Sequence, residues 1–281
     1  MNMKHIFAIL VLANLQSLAM AQNRSVVMIP TPFQEDGNSV QLELVIYKPA
    51  EQGSFPTLVF NHGSVSNGND PKEVRYTVTY PELAQFFNSK GWAVVLPQRR
   101  GRGQSGGQYA EGWDSEKQRY ACDPALAQTS MARAMADLDA TQTYLEKQSF
   151  VDTKRMLLGG HSKGGILAMA YAAQNPNRYL GVTNFVGGWV GERCEHAVKI
   201  NAGVFTQSAK FPKSTLWLYG EKDPFYSIAH SKGSFDAFKA AGGRGEFHVF
   251  NLGFMRNDHQ IVRTRSVWES TVADYLKQID N

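Results

Sequence analysis

The amino-acid sequence of 281 residues predicts an α/β protein with a mostly parallel central sheet of about eight strands and helices on both faces. Short apolar runs alternate with helical patterns from residue 57 onward, which is typical of a parallel sheet covered by helices. Two earlier strands with turn residues between them predict an antiparallel start. A Gly-x-Ser-x-Gly sequence at residues 160–164 lies between an apolar run and an Ala-rich run, which indicates a strand, a sharp turn and a helix.

The first 21 residues have the pattern of a signal peptide. Lys4 and His5 precede an apolar stretch at 6–18, and Ala19-Met20-Ala21 fits a cleavage site. We therefore expect a single domain at 22–281, exported to the periplasm or secreted, with no stable membrane span after cleavage. An uncleaved anchor is the alternative. Residues 23–25 fit an Asn-x-Ser acceptor for N-glycosylation, which would be used only in a eukaryotic host.

Composition excludes some classes of protein. The chain is 43% hydrophobic and 19% charged, which is ordinary for a globular protein. Its net charge of +4 is spread along the chain without a Lys/Arg block, so we expect no nucleic-acid partner. Cys122 and Cys194 can form one disulfide in an oxidising compartment, or be two separate buried residues. They lack the histidine spacing of a zinc site, and we expect no metal.

The first half of the chain contains most of the predicted hairpin and loops. We predict strands at 25–29 and 40–47 around turn residues 34–38. A strand at 57–60 is followed by a polar loop at 65–76, and a helix at 81–89 begins with Pro81. The next strand, at 92–96, leads into a loop at 97–107 that is rich in glycine and arginine.

The second half alternates helices and strands. Helices are predicted at 131–145, 166–173 and 235–241, and strands at 155–158, 179–186, 215–219 and 246–250. Residues 187–213 are irregular or helical and form a small cap-like excursion. Ser266 and Glu269 predict a capping box for the final helix. Its expected core-facing positions are Val267, Thr271, Tyr275 and Ile279.

The Gly-x-Ser-x-Gly turn is the centre of the predicted chemistry. Such a turn strains the serine and exposes its hydroxyl, and its glycines avoid clashes with the neighbouring strand or helix. In a chain with 25 glycines the pattern alone is weak, and an ordinary glycine-rich turn is the alternative. A serine nucleophile needs a base and a group that orients the base. Asp223 and His259 follow later strands, which gives the order Ser162, Asp223, His259.

From about residue 40 to residue 276 the chain resembles the α/β-hydrolase superfamily. The resemblance rests on His62-Gly63, the motif at 160–164, Gly220-x-x-Asp223-Pro224, and His259 before the last helix. The loop at 100–106 is similar to that of dienelactone-hydrolase-like and prolyl-peptidase-like members.

The resemblance implies a serine hydrolase without a cofactor. In such an enzyme Ser162 attacks a carbonyl carbon, His259 carries the proton and Asp223 orients His259. The backbone N–H groups of Lys163 and Ser64 would hold the oxyanion. A lysine directly after the nucleophile is less usual than a small or apolar residue. We expect a small-molecule ester as substrate, with a short peptide as the alternative, because peptidases of this kind often carry an added propeller or large cap. A non-catalytic binding module is a further alternative.

Other residues near these motifs are rival candidates. By the resemblance, His62 and His161 are structural supports, and either is a weaker candidate for the base. Asp258 is poorly placed to orient its neighbour His259. Gly101-x-Gly103-x-x-Gly106 matches a dinucleotide fingerprint, but no clear helix opens after it. The arginines of this loop either face an acidic substrate or tie loops together; they are Arg99, Arg100 and Arg102. The remaining histidines are expected on the surface, in packing or at a pocket wall; they are His196, His230 and His248.

Overall fold

The computed structural model describes residues 24–254 and 256–280. The predicted signal peptide and its cleavage site therefore lie outside the described residues, as does Asn23 of the acceptor sequence. Within the part of the chain that is described, no helix is both long enough and apolar enough to cross a bilayer.

Eight strands form one mixed sheet, and two short strands form a separate hairpin. The ten strands are β1 (Arg24–Glu35), β2 (Asn38–Tyr47), β3 (Phe55–Asn61), β4 (Ala93–Pro97), β5 (Trp113–Asp114), β6 (Arg119–Tyr120), β7 (Val151–His161), β8 (Gly181–Phe185), β9 (Thr215–Gly220) and β10 (Gly245–Phe250). The main sheet has the order β1-β2-β4-β3-β7-β8-β9-β10. The pairs from β4 to β10 are parallel, whereas β1 pairs antiparallel with β2, and β2 with β4.

Seven α-helices and one 3-10 helix are present among the described residues. The helices are α1 (Pro71–Val74), α2 (Pro81–Asn88), α3 (Pro124–Leu145), α4 (Lys163–Gln174), α5 (Ala197–Ser208), α6 (Ile228–Ala240) and α7 (Arg265–Ile279), with the 3-10 helix at Asp258–Arg263. They cover both faces of the sheet. The predicted fold class is therefore confirmed.

Burial explains why the middle strands are continuous apolar runs in the sequence. Every residue of β3, β4, β8 and β9 is buried, because helices cover both sides of the parallel part. The hairpin between β1 and β2 turns at Asp36 and Gly37, which both have positive φ, 52° and 76°. Such a pair fits the twist of a two-residue hairpin turn.

The prediction for the final helix was wrong in its start and incomplete in its core-facing positions. Thr264 precedes α7 without a side-chain cap, and Ser266 lies within the helix. Glu269 instead pairs with Arg265 over 2.6 Å. The fully buried residues are Trp268, Val272, Tyr275 and Leu276; of the predicted core-facing positions, Tyr275 is buried, and Val267 and Ile279 are partly buried and pack against the core. The reason is tertiary: the Trp268 ring packs against the rings of Phe86 and Phe185, with centroids 5.2 and 5.6 Å away.

Candidate active site

Ser162 has the strained backbone that the sequence predicts for the turn. It follows β7 and precedes α4, with φ 55° and ψ −122°, a region that non-glycine residues rarely adopt. Two backbone hydrogen bonds hold it there. Its N–H donates to the Phe185 oxygen over 2.9 Å, and its carbonyl oxygen accepts from the Gly165 N–H over 2.9 Å. The surrounding structure therefore over-determines this conformation.

The two glycines of the motif are required by close backbone contacts. A Cβ atom on Gly160 would lie 2.1 Å from the carbonyl oxygen of Gly164. A Cβ atom on Gly164 would lie 2.1 Å from the carbonyl oxygen of Asn61 in β3. Helix α4 thus approaches β7 and β3 too closely for a side chain at either glycine, as the sequence predicts.

Asp223 and His259, which lie 36 residues apart, are directly hydrogen-bonded. His259 Nδ1 donates to Asp223 Oδ2 over 2.7 Å, and both side chains are buried. The other carboxylate oxygen, Oδ1, accepts from the N–H groups of Phe225 (2.8 Å) and Tyr226 (3.1 Å). With a proton held on Nδ1, the Nε2 atom of His259 is available as a proton acceptor.

Asp258 has a different role from its neighbour. Its carboxylate accepts from the N–H groups of Lys222 (2.9 Å) and Leu252 (3.1 Å). These bonds fasten the loops that follow β9 and β10. Asp258 therefore shapes the loops that carry Asp223 and His259, but does not orient the imidazole.

Two rival histidines are engaged by the protein and kept neutral. His161 Nε2 donates to the His259 carbonyl oxygen over 2.7 Å, and His161 Nδ1 accepts from the Tyr80 hydroxyl over 3.3 Å. Burial lowers the pKa of His161 to about 3. His62 Nδ1 lies 2.8 Å from the Gly63 oxygen, and Nε2 accepts from the Arg99 N–H over 3.2 Å. Burial and then Arg99 hold its pKa well below the ordinary value.

The three remaining histidines lie outside the Asp223–His259 pair. His230 Nε2 accepts from Asn201 Nδ2 over 3.0 Å. His248 lies on β10, 3.2 Å from an oxygen of the exposed Glu246. His196 lies near Glu195, at 3.9 Å.

Both residues with the proposed oxyanion N–H groups lie beside Ser162. Lys163 is the first residue of α4, where a backbone N–H has no partner within the helix. Gly63 packs so closely that a Cβ atom on it would lie 3.2 Å from Ser162 Cβ, which places the loop containing Ser64 next to the serine. The Tyr120 hydroxyl donates to the Val65 oxygen over 3.0 Å, at the residue that follows Ser64.

The Lys163 side chain is buried in an aromatic enclosure. Its Nζ atom lies 4.0 Å from the Tyr120 ring centroid and 4.9 Å from that of Trp189, and it donates to the carbonyl oxygen of Glu111. Burial lowers the pKa of the ammonium group to about 7. The side chain thus fastens the hairpin region to the start of α4.

The arginine-rich loop after β4 ties protein segments together. Arg99 Nε pairs with Glu111 over 2.6 Å, and Arg100 Nε with Asp137 over 2.5 Å. Arg102 donates to the Gly63 oxygen over 3.2 Å. All three side chains are buried, so they do not face an acidic substrate.

The glycine pattern of the same loop does not form a dinucleotide site. The Gly101 N–H donates to the Gly106 oxygen over 2.9 Å and closes the loop on itself. The next helix after the pattern, α3, begins only at Pro124. A dinucleotide fingerprint requires a helix that opens at the glycines.

One residue of the site, Tyr226, was not found by sequence reasoning. Its hydroxyl end lies beside the Ser162 side chain, and its ring centroid lies 5.7 Å from that of His259. It therefore contacts both residues. An aromatic residue three positions after the acid has the same sequence appearance as a core residue. No sequence signal separates the two.

A cleft of about 620 Å³ opens beside the site. Cys122 and Cys194 form a disulfide at its wall, joining the segment before α3 to the excursion after β8. Phe225 contributes to the cleft and also contacts His259 edge-on at 4.8 Å. The lining residues are Arg119, Tyr120, Cys122, Val190, Gly191, Glu192, Arg193, Cys194, Glu195, Pro224 and Phe225. His196 of the excursion does not line it.

A metal site is not found in the described ranges, 24–254 and 256–280. Within them, no group of three His, Cys, Asp or Glu side chains is arranged to hold an ion.

The comparison with protein families identifies the chain. Residues 75–279 match the Dienelactone hydrolase family. The chain belongs to the dienelactone hydrolase family. That match includes the serine turn, Asp223 and His259, but not the loop at 62–64. The search of curated proteins gave no match.

Solved structures of low sequence identity share the fold. Est1E from Butyrivibrio proteoclasticus with ferulic acid bound is 14% identical, with a TM-score of 0.61 over 91% of this chain and 100% of that one. The esterase Pf2001 from Pyrococcus furiosus is 17% identical, with a TM-score of 0.63 over 93% and 92%. An acylaminoacyl peptidase from Pyrococcus horikoshii is 14% identical, with a TM-score of 0.63 over 94% of this chain but 43% of that one. This dienelactone hydrolase family member thus shares its fold with these two esterases over 92–100% of their length.

Proposed function

We propose that this protein is an exported serine hydrolase that cleaves an ester-like bond through Ser162, His259 and Asp223. The observation that carries the proposal is the 2.7 Å hydrogen bond from His259 to Asp223, together with a serine held at φ 55° beside Tyr226, whose ring also lies against His259. A buried carboxylate on Nδ1 stabilises the imidazolium that forms when the histidine takes the serine proton. The membership of the dienelactone hydrolase family supports the same chemistry.

The reaction proceeds in two stages. Ser162 Oγ attacks the substrate carbonyl carbon while His259 Nε2 takes its proton, and the carbonyl electron pair moves onto oxygen. The N–H groups of Lys163 and Ser64 stabilise that oxyanion. The electron pair on the oxyanion then re-forms the carbonyl, and the bond from the carbonyl carbon to the alcohol oxygen breaks. The alcohol leaves with the proton from His259, and an acyl-enzyme remains. Water repeats the sequence and releases the acid.

The cleft supports a small ester as substrate. Its volume of about 620 Å³ lies within the range of small-molecule sites, and the aromatic side chains of Tyr120 and Phe225 line it, with Phe225 in contact with His259. The structural neighbour Est1E was solved with ferulic acid bound, which supports an ester of an aromatic or similarly sized acid. A short peptide is the second candidate, favoured by the likeness to an acylaminoacyl peptidase.

Ester hydrolysis is tested with the mature protein and the Ser162→Ala variant on p-nitrophenyl esters and aminoacyl-p-nitroanilides. We expect turnover of the esters by the wild type, complete loss in the variant, and labelling of the wild type alone by a fluorophosphonate. Turnover of anilides alone would favour the peptidase. Absence of both turnover and labelling would favour a binding module.

Export is supported by the disulfide, because such bonds persist in oxidising compartments. The experiment is N-terminal sequencing after expression of the full chain in a bacterium with an export pathway. A start at Gln22 is expected. A start at Met1 on soluble cytoplasmic protein contradicts export.

A further inference from the structure

Tyr226 lies against the Ser162 side chain in a position that its surroundings fix. Its phenol end rests on Gly188, where a Cβ atom would lie 2.4 Å from Tyr226 Cζ and 2.7 Å from its hydroxyl oxygen. The Gly188 N–H in turn points to the Ser162 carbonyl oxygen, at 3.3 Å. Only a glycine at position 188 leaves room for the tyrosine.

The ring of Tyr226 is held on a second side by a polar chain. It stacks on the His230 ring, with centroids 6.0 Å apart and an interplanar angle of 21°. His230 accepts from Asn201, whose side-chain oxygen also accepts from the Trp189 N–H over 2.9 Å. The Tyr226 N–H is bonded to Asp223. The same acid therefore fixes both His259 and the backbone of Tyr226.

We propose that Tyr226 is a further catalytic residue, whose hydroxyl donates to Ser162 Oγ and stabilises negative charge on that oxygen when the acyl-enzyme breaks down. The proposal rests on the serine-hydrolase function proposed above. Burial raises the pKa of this phenol well above its ordinary value, so the group remains a donor throughout the reaction.

The two stages need this donor to different extents. In the resting enzyme Oγ belongs to a hydroxyl, which already accepts a hydrogen bond well. The hydrogen bond from Tyr226 therefore adds little to the rate of acylation. In the acyl-enzyme Oγ is an ester oxygen, a poor acceptor. When water has added to the acyl carbon and the C–Oγ bond breaks, the bonding pair moves onto Oγ, which takes its proton from His259. The hydrogen bond from Tyr226 strengthens during that step, while the tyrosine keeps its own proton. The transition state of deacylation is therefore stabilised more than that of acylation.

Tyr226→Phe isolates the hydroxyl, because the ring contacts with Gly188, His230 and His259 remain. With p-nitrophenyl acetate we expect kcat to fall about 10- to 100-fold, the range for a hydrogen bond to a charged group. Since deacylation becomes slower than acylation, KM falls with kcat, and kcat/KM stays within about threefold. A burst of p-nitrophenol should equal the enzyme concentration, and mass spectrometry should show an acetyl group on Ser162.

Tyr275→Phe is the matched control. It removes another buried hydroxyl, which donates to the Ser214 oxygen over 2.6 Å at the opposite, amino-terminal edge of the sheet. We expect a lower midpoint of thermal unfolding, without a burst and without a change in KM.

The outcomes are distinguishable. An unchanged kcat in Tyr226→Phe, or an equal fall of kcat and kcat/KM without acyl-enzyme, would overturn the role of the hydroxyl while the triad stands. A wild type that neither turns over esters nor reacts with a fluorophosphonate would overturn the proposed function, and this role with it.

Discussion

The imidazole of His161, the residue before the strained serine, donates from Nε2 to the backbone carbonyl oxygen of His259 over 2.7 Å. The bond links the serine turn to the loop that carries the proposed base. The two rings also lie 5.0 Å apart. Residues 98 positions apart in sequence are thereby fixed relative to each other.

His161→Ala removes that link. We expect kcat for ester hydrolysis to fall about tenfold because His259 loses its anchor. The free energy of unfolding should fall by about 1–3 kcal/mol, since buried partners lose their hydrogen bonds. Steady-state kinetics and urea unfolding measure both. His161→Gln, which retains a donor, should recover part of each loss, and His248→Ala on the exposed edge strand should change neither. Wild-type kcat in His161→Ala would show that the bond does not position His259.

Asp223→Asn and Asp258→Asn separate orientation of the base from loop anchoring. In Asp223→Asn the amide no longer stabilises the imidazolium, and a loss in kcat of about 10⁴-fold is expected by analogy with other triads. Asp258→Asn weakens the bonds to the Lys222 and Leu252 N–H groups, so stability should fall by about 1–3 kcal/mol while kcat stays within about threefold. A large loss of kcat in Asp258→Asn, with little change of kcat in Asp223→Asn, would assign the orienting role to Asp258.

Lys163 predicts a pH dependence of stability. In the folded protein its pKa is lowered from 10.5 to about 7, mainly by burial. Between these pH values the unfolded chain binds one more proton at this lysine than the folded protein does. The free energy of unfolding from this group therefore rises as pH increases from about 7 to 10.5, and is flat below 7.

Urea unfolding of the wild type and Lys163→Met at pH 6, 8 and 10 measures this effect. We expect the wild type to gain stability relative to the variant as pH rises, because the variant has no group to deprotonate there. For Lys199→Met, on the exposed face of α5, the free energy of unfolding should change with pH in parallel with that of the wild type. A wild-type-minus-Lys163→Met difference that does not change with pH would contradict the shift.

The disulfide between Cys122 and Cys194 should contribute to stability and to the shape of the cleft. It spans 72 residues of sequence, for which the chain-entropy estimate is about 4 kcal/mol. We expect the Cys122→Ser/Cys194→Ser double variant to lose about 2–4 kcal/mol of unfolding free energy, and its KM for esters to rise. The wild type with a reductant should behave like the double variant. If reduction of the disulfide is confirmed and the free energy of unfolding of the wild type does not change, the bond does not stabilise the fold.

The sequence alone was enough to predict the sheet, the serine turn and the positions of the acid and the histidine. These features depend on local patterns: apolar runs of strand length, glycines where backbones touch, and polar residues directly after strands. Parallel strands place their carboxyl ends at one edge of the sheet, so the sequence predicts that Asp223 and His259 lie together. Their hydrogen bond is a consequence of that topology.

Tertiary structure alone decided the features that depend on which surfaces meet. The sequence pattern missed Trp268, the most deeply buried large side chain of α7, which packs against Phe86 and Phe185. The rings around Lys163 come from Tyr120 and Trp189, which are far from it in sequence. Tyr226 reaches Ser162 because Gly188 leaves space for its phenol. Such contacts join distant segments through shape and burial, and no local sequence pattern encodes them.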